Sequence, residues 1–267
     1  MVRQGINFFR YSARHRRVLF SLAKQDIRAR FAGSLLGPVW FLIHPAILIL
    51  VFWMVFSLGF RVKPLADVPF VAWLTTSLAA WFLFSDLVST MTPVITANAP
   101  IIKKTVFPSQ ILPLVKAISA VFGHLVFVIL LLVLIGITRV PFSFFFFQAI
   151  YYAVCAMVLG IGLGWAVSAL SVFIRDVEQV VGVVLQVGFW ATPVFWDLTI
   201  LPEPVQQVVS YNPVFYIVQG YRDSFLYHVP FWAHPVQTLW FWCVALVALA
   251  VGATVFQRLK PQFADVL

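Results

Sequence analysis

The stretch Arg28–Pro45, RARFAGSLLGPVWFLIHP, decides the fold of this chain: a basic, half-apolar segment stops at Gly37-Pro38 and turns into an uninterrupted hydrophobic run. Upstream, Phe20, Ala23, Ile27 and Phe31 recur at three- and four-residue spacing, the period of one helix face, while Lys24, Asp26, Arg28 and Arg30 fall off it. The pattern predicts an amphipathic helix lying on a membrane surface. Its cations sit among headgroups, its phenylalanines at the acyl boundary, and Asp26 and Arg30 are spaced as an i,i+4 pair. Gly33, Gly37 and Pro38 then end it, because proline lacks the N–H donor and disfavours helical backbone for the residue before it. The chain bends there and enters the bilayer.

Composition agrees with that reading. Of 267 residues, 62% are hydrophobic and 10% charged, whereas soluble domains are about 25% charged. Six spans of roughly 20 residues each occupy about half of such a chain and leave no room for a separate soluble domain. The net charge of +9 raises the question of nucleic acid, but eight of the 18 Lys and Arg residues precede residue 31 and no aromatic-interleaved basic groove follows. A basic tail beside a bilayer sets topology and touches headgroups, so no nucleic-acid partner is expected. Cys155 and Cys243 lie in apolar runs and read as free, buried thiols. The first long apolar run starts near Val39, so no removable signal peptide is expected.

Hydropathy places spans at Val39–Gly59, Phe70–Met91, Ile111–Ile137, Phe146–Phe173, Val177–Phe195 and Pro235–Phe256. The expected fold is all-α: residues 1–37 form a tail and surface helix, 38–256 a six-helix membrane domain, and 257–267 a second tail. With the N-terminus inside, 14 Lys and Arg residues fall on inner segments, against Arg61, Lys63, Arg139 and Arg222 outside. Both termini are therefore expected in the cytoplasm. The loop 92–113 carries four prolines around Asn98 and Lys103-Lys104, which predicts a short helix between two turns. The turn Ile174–Gln179 is so short that the helices flanking it must be antiparallel neighbours, and it displays Arg175, Asp176 and Glu178. The outer segment 196–233 contains Asn212-Pro213, a helix N-cap followed by proline at the first position, and is too short to cross. It predicts a re-entrant or interfacial helix pair.

Catalytic chemistry is sparse. The chain has no Gly-Lys dipeptide, hence no phosphate-binding loop of its own, and no H-E-x-x-H. His228 and His234 read as interfacial hydrogen-bonding groups with no metal site implied. Asp86, Lys116 and His124 are the ionisable groups near or within spans, too few for a proton relay, and read as satisfied inside the protein. Gly160, Gly162 and Gly164 with Ser168 mark close helix packing. Aromatic residues gather at outer span ends: Trp53 and Phe56, then Phe189, Trp190 and Trp196, then Tyr211, Phe215, Tyr216 and Tyr221. They form an interfacial belt, or some line a passage whose flat faces suit C–H-rich sugar rings.

Several motifs together carry a family resemblance. R-x-R-F-x-G-S-x-L-G-P-x-W at Arg28–Trp40, the run N-A-x-I-I-K-K-x-x-F-P-x-x-I-L-P at Asn98–Pro113, Arg175-Asp176, Thr192-Pro193-Val194, Tyr211-Asn212-Pro213 with Tyr221-Arg222, and Phe263-Ala264-Asp265 follow one another in order. In this the chain resembles the ABC-2 polysaccharide-export permeases, which include O-antigen, teichoic-acid and, more distantly, capsule exporters. The resemblance implies a single ABC-2 transmembrane domain and a homodimeric channel in a bacterial inner membrane. Two copies of a separate ATPase would bind ATP and Mg, and this chain would hold no cofactor. It further implies ATPase coupling through Asn98, Ile101, Lys103, Lys104, Arg175, Asp176 and Glu178, and an outer gate at the re-entrant pair, Asn212 and Pro213 included. The implied cargo is a glycan on undecaprenyl diphosphate. Arg28 and Arg30 could attract that headgroup or simply anchor the helix to membrane lipids, basic groups at an anionic interface contributing roughly 1 kcal/mol each. The competing readings are a permease for teichoic acid, capsule, a drug or a small lipid, a membrane glycosyl- or acyltransferase built around His228, His234 and Asp223, and an ion-coupled transporter.

Overall fold

The elbow forms where the backbone demands it. In the computed structural model, which describes residues 16–30, 32–61, 68–104 and 108–267, a surface helix runs Arg16–Ala29 and stops before two left-handed residues, Gly33 at φ 80° and Gly37 at φ 50°. Neither glycine has a neighbour within 4 Å of where a Cβ would stand, so backbone conformation and not space selects glycine there. A 3-10 turn, Gly37–Val39, then feeds the helix Trp40–Trp53. Phe31, Lys63 and Thr105 lie outside the described residues, as do the side chains of Arg16, Pro38 and Lys104.

The surface helix is rotated from its expected face. Leu19 and Ala23 are buried against Ile111 and Val115, whereas Phe20 is 64% exposed. Leu19, Leu22, Ala23 and Asp26 have the same three- and four-residue spacing as the expected set. The ion pair of Asp26 with Lys116 at the start of the third span, Oδ1 to Nζ 2.5 Å, turns that side inward.

Among the described residues, five helices are long and apolar enough to cross a membrane: Trp40–Gly59, Phe70–Met91, Ile111–Ile137, Phe144–Leu170 and Pro235–Val266. The first ends in a π-helical turn, Met54–Gly59, and the last continues from Pro235–Leu259 through a 3-10 turn to the short helix Phe263–Val266. The predicted span Val177–Phe195 is shorter than expected. It is a 15-residue helix, Val177–Ala191, that stops at Thr192 (φ −86°, ψ 136°) because Pro193 disfavours helical backbone for the residue before it. Cys155 is buried as expected, but Cys243 is exposed on the last span.

The second span is the central helix. Ala72, Trp73, Leu74, Leu78, Ala79, Leu87 and Met91 are buried along its length. Thr75, Thr76 and Ser77 donate to the carbonyls four residues earlier at 2.7, 2.8 and 2.9 Å, which satisfies buried hydroxyls within the helix itself. The glycines of the fourth span admit two neighbours. Gly160 and Gly164 face Leu87 and Met91 of the second span, and a Cβ on Gly162 would stand 2.6 Å from the backbone nitrogen of Leu249 in the last span. A Cβ on Gly252 would collide with the carbonyl oxygen of Gly162. The fourth and last spans therefore pack backbone to backbone.

The loop end of the bundle carries Val94–Ala97, Ala99–Lys104 and the turn before Val177. The opposite end carries a helix pair, Glu203–Ser210 and Pro213–Arg222, followed by a π-helical turn Asp223–Tyr227. Asn212 caps the second helix as its sequence predicts, its Oδ1 accepting from the Val214 N–H at 2.9 Å with Pro213 at the first position.

The glycine crossing yields a prediction. Gly252→Ala should destabilise the purified protein by about 1–3 kcal/mol through overpacking. Gly136→Ala, where nothing lies within 4 Å of the new Cβ, should not. Equal melting temperatures for the two variants in detergent would contradict the backbone-to-backbone contact.

Candidate functional site

Three places gather the polar and aromatic groups that the sequence singles out. At the loop end, Asn98 joins the two short helices and its Nδ2 donates to the Val94 carbonyl at 2.8 Å. Ile101 and Lys103 are exposed, as are Arg175, Asp176 and Glu178. Lys104 ends its helix, with its side chain outside the description. The two corners are tied together: Ser171 Oγ donates to the Thr92 carbonyl at 2.7 Å. The C-terminal Phe263, 1% exposed, wedges beside Val94, Ile95 and Trp165, and meets Phe256 at 5.5 Å and Phe173 at 6.3 Å. Lys260 Nζ adds a bond to Gln110 Oε1 at 3.0 Å. Sequence placed Phe263-Ala264-Asp265 in a motif but gave it no structural task; burial of its phenylalanine supplies one.

Under the surface helix lies a cavity of about 300 Å³ between the first three spans, with Arg30, His44, Asp86 and His124 among its lining. Arg30 reaches two carboxylates, Asp26 at 3.6 Å and Asp86 at 3.7 Å. With Lys116 on Asp26, two cations and two carboxylates form a chain from the surface helix to the second and third spans. Arg28, by contrast, is exposed. Deeper in, His124 Nε2 pairs with the Tyr221 hydroxyl at 2.8 Å, which joins the third span to the helix pair. Asp86 and Lys116, both half-buried, and the buried His124 thus each have a partner inside the protein.

At the opposite end the aromatic candidates separate into two groups. Phe56 meets Phe70 at 5.8 Å and Phe195 at 5.5 Å. Phe189 and Trp190 meet the same Phe195 at 5.6 and 4.6 Å, and Trp196 Nε1 donates to the Trp190 carbonyl at 3.1 Å. Trp53 is half-buried one turn from Phe56. The second group turns into the bundle. The Tyr216 hydroxyl pairs with Tyr151 at 3.1 Å and Thr238 at 2.9 Å, and Phe215 and Tyr221 are buried. Tyr211 packs edge-on against Trp240 at 5.8 Å.

The residue that sequence reasoning misplaced is Arg222. Counted above as a cation of an outer loop, it is 2% exposed. Its Nε donates to Ser77 Oγ at 2.7 Å, its Nη2 to the carbonyls of Pro193 and Val194 at 2.6 and 3.1 Å, and its guanidinium lies 3.6 Å from the centre of the Trp73 ring. Burial pulls it down to about 9, which leaves it charged at neutral pH. The neighbouring Asp223 is also buried, and desolvation pushes its carboxyl above the usual carboxylate range, against bonds and charges from Gln219, His234 and Arg222. His234 Nε2 stands 3.7 Å from Asp223 Oδ2, while His228 packs on Phe145 and Phe146, so the two histidines do not converge on one centre.

Long apolar helices closed by backbone contacts, with buried charges paired internally, define a multi-pass membrane protein. The family model for the ABC-2 type transporter matches residues 17–226, and the chain belongs to that family. It is similar to the O-antigen export system permease protein RfbA of Klebsiella pneumoniae, 26% identical over 252 residues that cover 94% of this chain and 95% of the relative. RfbA of Myxococcus xanthus is 26% identical over 265 residues, 97% and 99% of the two chains. The polysialic acid transport protein KpsM of Escherichia coli is 21% identical over 207 residues, 76% and 79%.

The buried arginine carries a prediction. Arg222→Lys should cost about 1–3 kcal/mol, because a single ammonium nitrogen cannot stand at both the Nε position that serves Ser77 and the Nη2 position that serves the two carbonyls. Arg139→Lys, at an exposed turn, should leave the melting temperature unchanged. Equal melting of the two variants would contradict the role given to the guanidinium.

Proposed function

We propose that this chain is the membrane permease subunit of an ABC exporter that moves an O-antigen-like polysaccharide on undecaprenyl diphosphate across the bacterial inner membrane. The observation that carries the reading is similarity along nearly the whole length of two O-antigen export permeases, 94% and 97% of this chain. The weaker and shorter likeness to a polysialic acid transporter favours a polysaccharide cargo over a drug or small lipid. On this reading a separate ATPase supplies the energy, and two copies of each subunit assemble. The helix Val177–Ala191 with the extended turn after it makes the sixth crossing, both termini are cytoplasmic, and the helix pair faces outward as the gate.

The geometry supports a division of labour. The exposed Arg175, Asp176 and Glu178 and the helix bearing Ile101 and Lys103 are offered to the ATPase from one rigid corner, since Ser171 and Phe263 join the two loops. A push on either loop therefore moves the second and fourth spans together, and a partner can bias the equilibrium only through groups that it touches. Arg28 is the cation presented to a diphosphate headgroup; the charge of Arg30 is already balanced by Asp26 and Asp86.

Charge reversal tests this. Arg175→Glu and Asp176→Lys should each lower surface polysaccharide at least about tenfold, the loss of roughly 1.4 kcal/mol or more of coupling, with normal membrane levels and unchanged melting. Wild-type export from both variants would refute the coupling assignment. Unchanged surface polysaccharide after deletion of the gene would refute the cargo.

A further inference from the structure

Behind the helix pair lies a second cavity, of about 360 Å³, walled by the helix Pro213–Arg222, the last span and the turn at Asp197–Thr199. Its chemistry is unlike that of the bundle around it. Asp223, 3% exposed, takes one bond from Gln219 Nε2 to Oδ1 at 2.9 Å. Its Oδ2 stands 3.7 Å from His234 Nε2, an ion pair beyond hydrogen-bond range, and the residue is part of the cavity wall. Gln237 lines it from the last span, and Tyr216 and Tyr227 also stand in its wall.

This set excludes the commoner ligands. No three His, Cys, Asp or Glu residues gather as cation ligands among the described residues, and Oδ1 of the second carboxylate present, Asp197, already accepts from the Thr199 N–H and hydroxyl at 2.7 and 2.5 Å. An anion would face two carboxylates, and although Arg222 is part of the lining, its Nε and Nη2 donors are engaged by Ser77, Pro193 and Val194. A purely apolar guest would strand a buried acceptor. A neutral ligand rich in hydroxyls meets all three constraints: adjacent hydroxyls donate to a carboxylate, amides serve the others, and C–H faces lie on tyrosine rings.

We propose that this cavity is a carbohydrate-binding subsite, in which one sugar ring meets the polar groups of Asp223, Gln219 and Gln237 and packs against Tyr216 and Tyr227. The proposal rests on the export reading for its biological sense, since it places a sugar contact in each protomer, beside the gate rather than between protomers. It does not rest on that reading for its test.

The test is saturation-transfer NMR on the full-length permease in nanodiscs, with methyl α-mannopyranoside, methyl β-galactopyranoside and methyl α-rhamnopyranoside as probes and cyclohexanol as the ring without its polyol. At least one glycoside should bind with millimolar affinity and cyclohexanol should not. Asp223→Asn and, on the last span, Gln237→Leu should each weaken binding about tenfold or more, as expected for loss of a hydrogen bond to a charged or buried group. Failure of all three glycosides, equal binding of cyclohexanol, or binding indifferent to both variants would overturn the proposal. If the chain exports polysaccharide but no glycoside binds, the pocket falls and the export reading stands. If a glycoside binds through Asp223 and Gln237 in a chain that exports nothing, the reverse holds.

Discussion

The contact between Arg222 and the carbonyls of Pro193 and Val194 is the constraint on which the far half of this protein depends. A helix of 15 residues rises about 22 Å, short of the roughly 30 Å hydrocarbon core of a bilayer. The carbonyls of Pro193 and Val194, in the turn just after it, would be stranded in an apolar setting, where an unpaired polar group costs several kcal/mol. A guanidinium can serve several acceptors at fixed angles, and Trp73 beneath it replaces part of the lost hydration through cation–π attraction. Arg222 thus links the exit of the short helix, the helix pair and the second span, alongside the bonds of Asn212 Nδ2 to Thr192 Oγ1 and of Trp73 Nε1 to the Tyr227 hydroxyl, each at 3.0 Å.

The second span is the natural route between the two ends. Its residues meet Arg222 at Ser77, His124 near Ala79, Arg30 at Asp86 and Ser171 at Thr92. Small residues and self-satisfied hydroxyls let neighbours approach it from every side, so it moves with all of them or not at all. On the proposed reading, that is what a helix linking an ATPase-facing corner to an outward gate requires. The surface helix is clamped to the same unit through Asp26, Arg30 and Lys116, so the elbow is part of the moving body.

Much of this was legible because it is governed by local rules. Gly33, Gly37 and Pro38 announce the elbow through backbone conformation, Asn212-Pro213 announces a helix start, and Gly160, Gly162 and Gly164 announce close packing. What was hidden depends on contacts distant in sequence. Arg222 follows a proline-rich segment, as a surface cation would, and its partner Ser77 lies 145 residues away. The surface helix offers two equally periodic faces, and only Lys116, 90 residues on, decides between them. The early end of the helix at Ala191 was within reach of sequence, since Pro193 restricts Thr192, but hydropathy runs smoothly past it. The polar cavity at Asp223 could not be read, because its walls come from segments separated by proline-rich turns.

On the proposed reading, this chain works only as half of an energised assembly. The direct measurement is purification of the permease together with the ABC ATPase encoded beside it, followed by ATP hydrolysis in lipid with and without the permease. A stable complex with two copies of each chain, whose hydrolysis rate changes on assembly, is the expected result. A permease that purifies alone, leaves hydrolysis by that ATPase unchanged and still moves its cargo would contradict it.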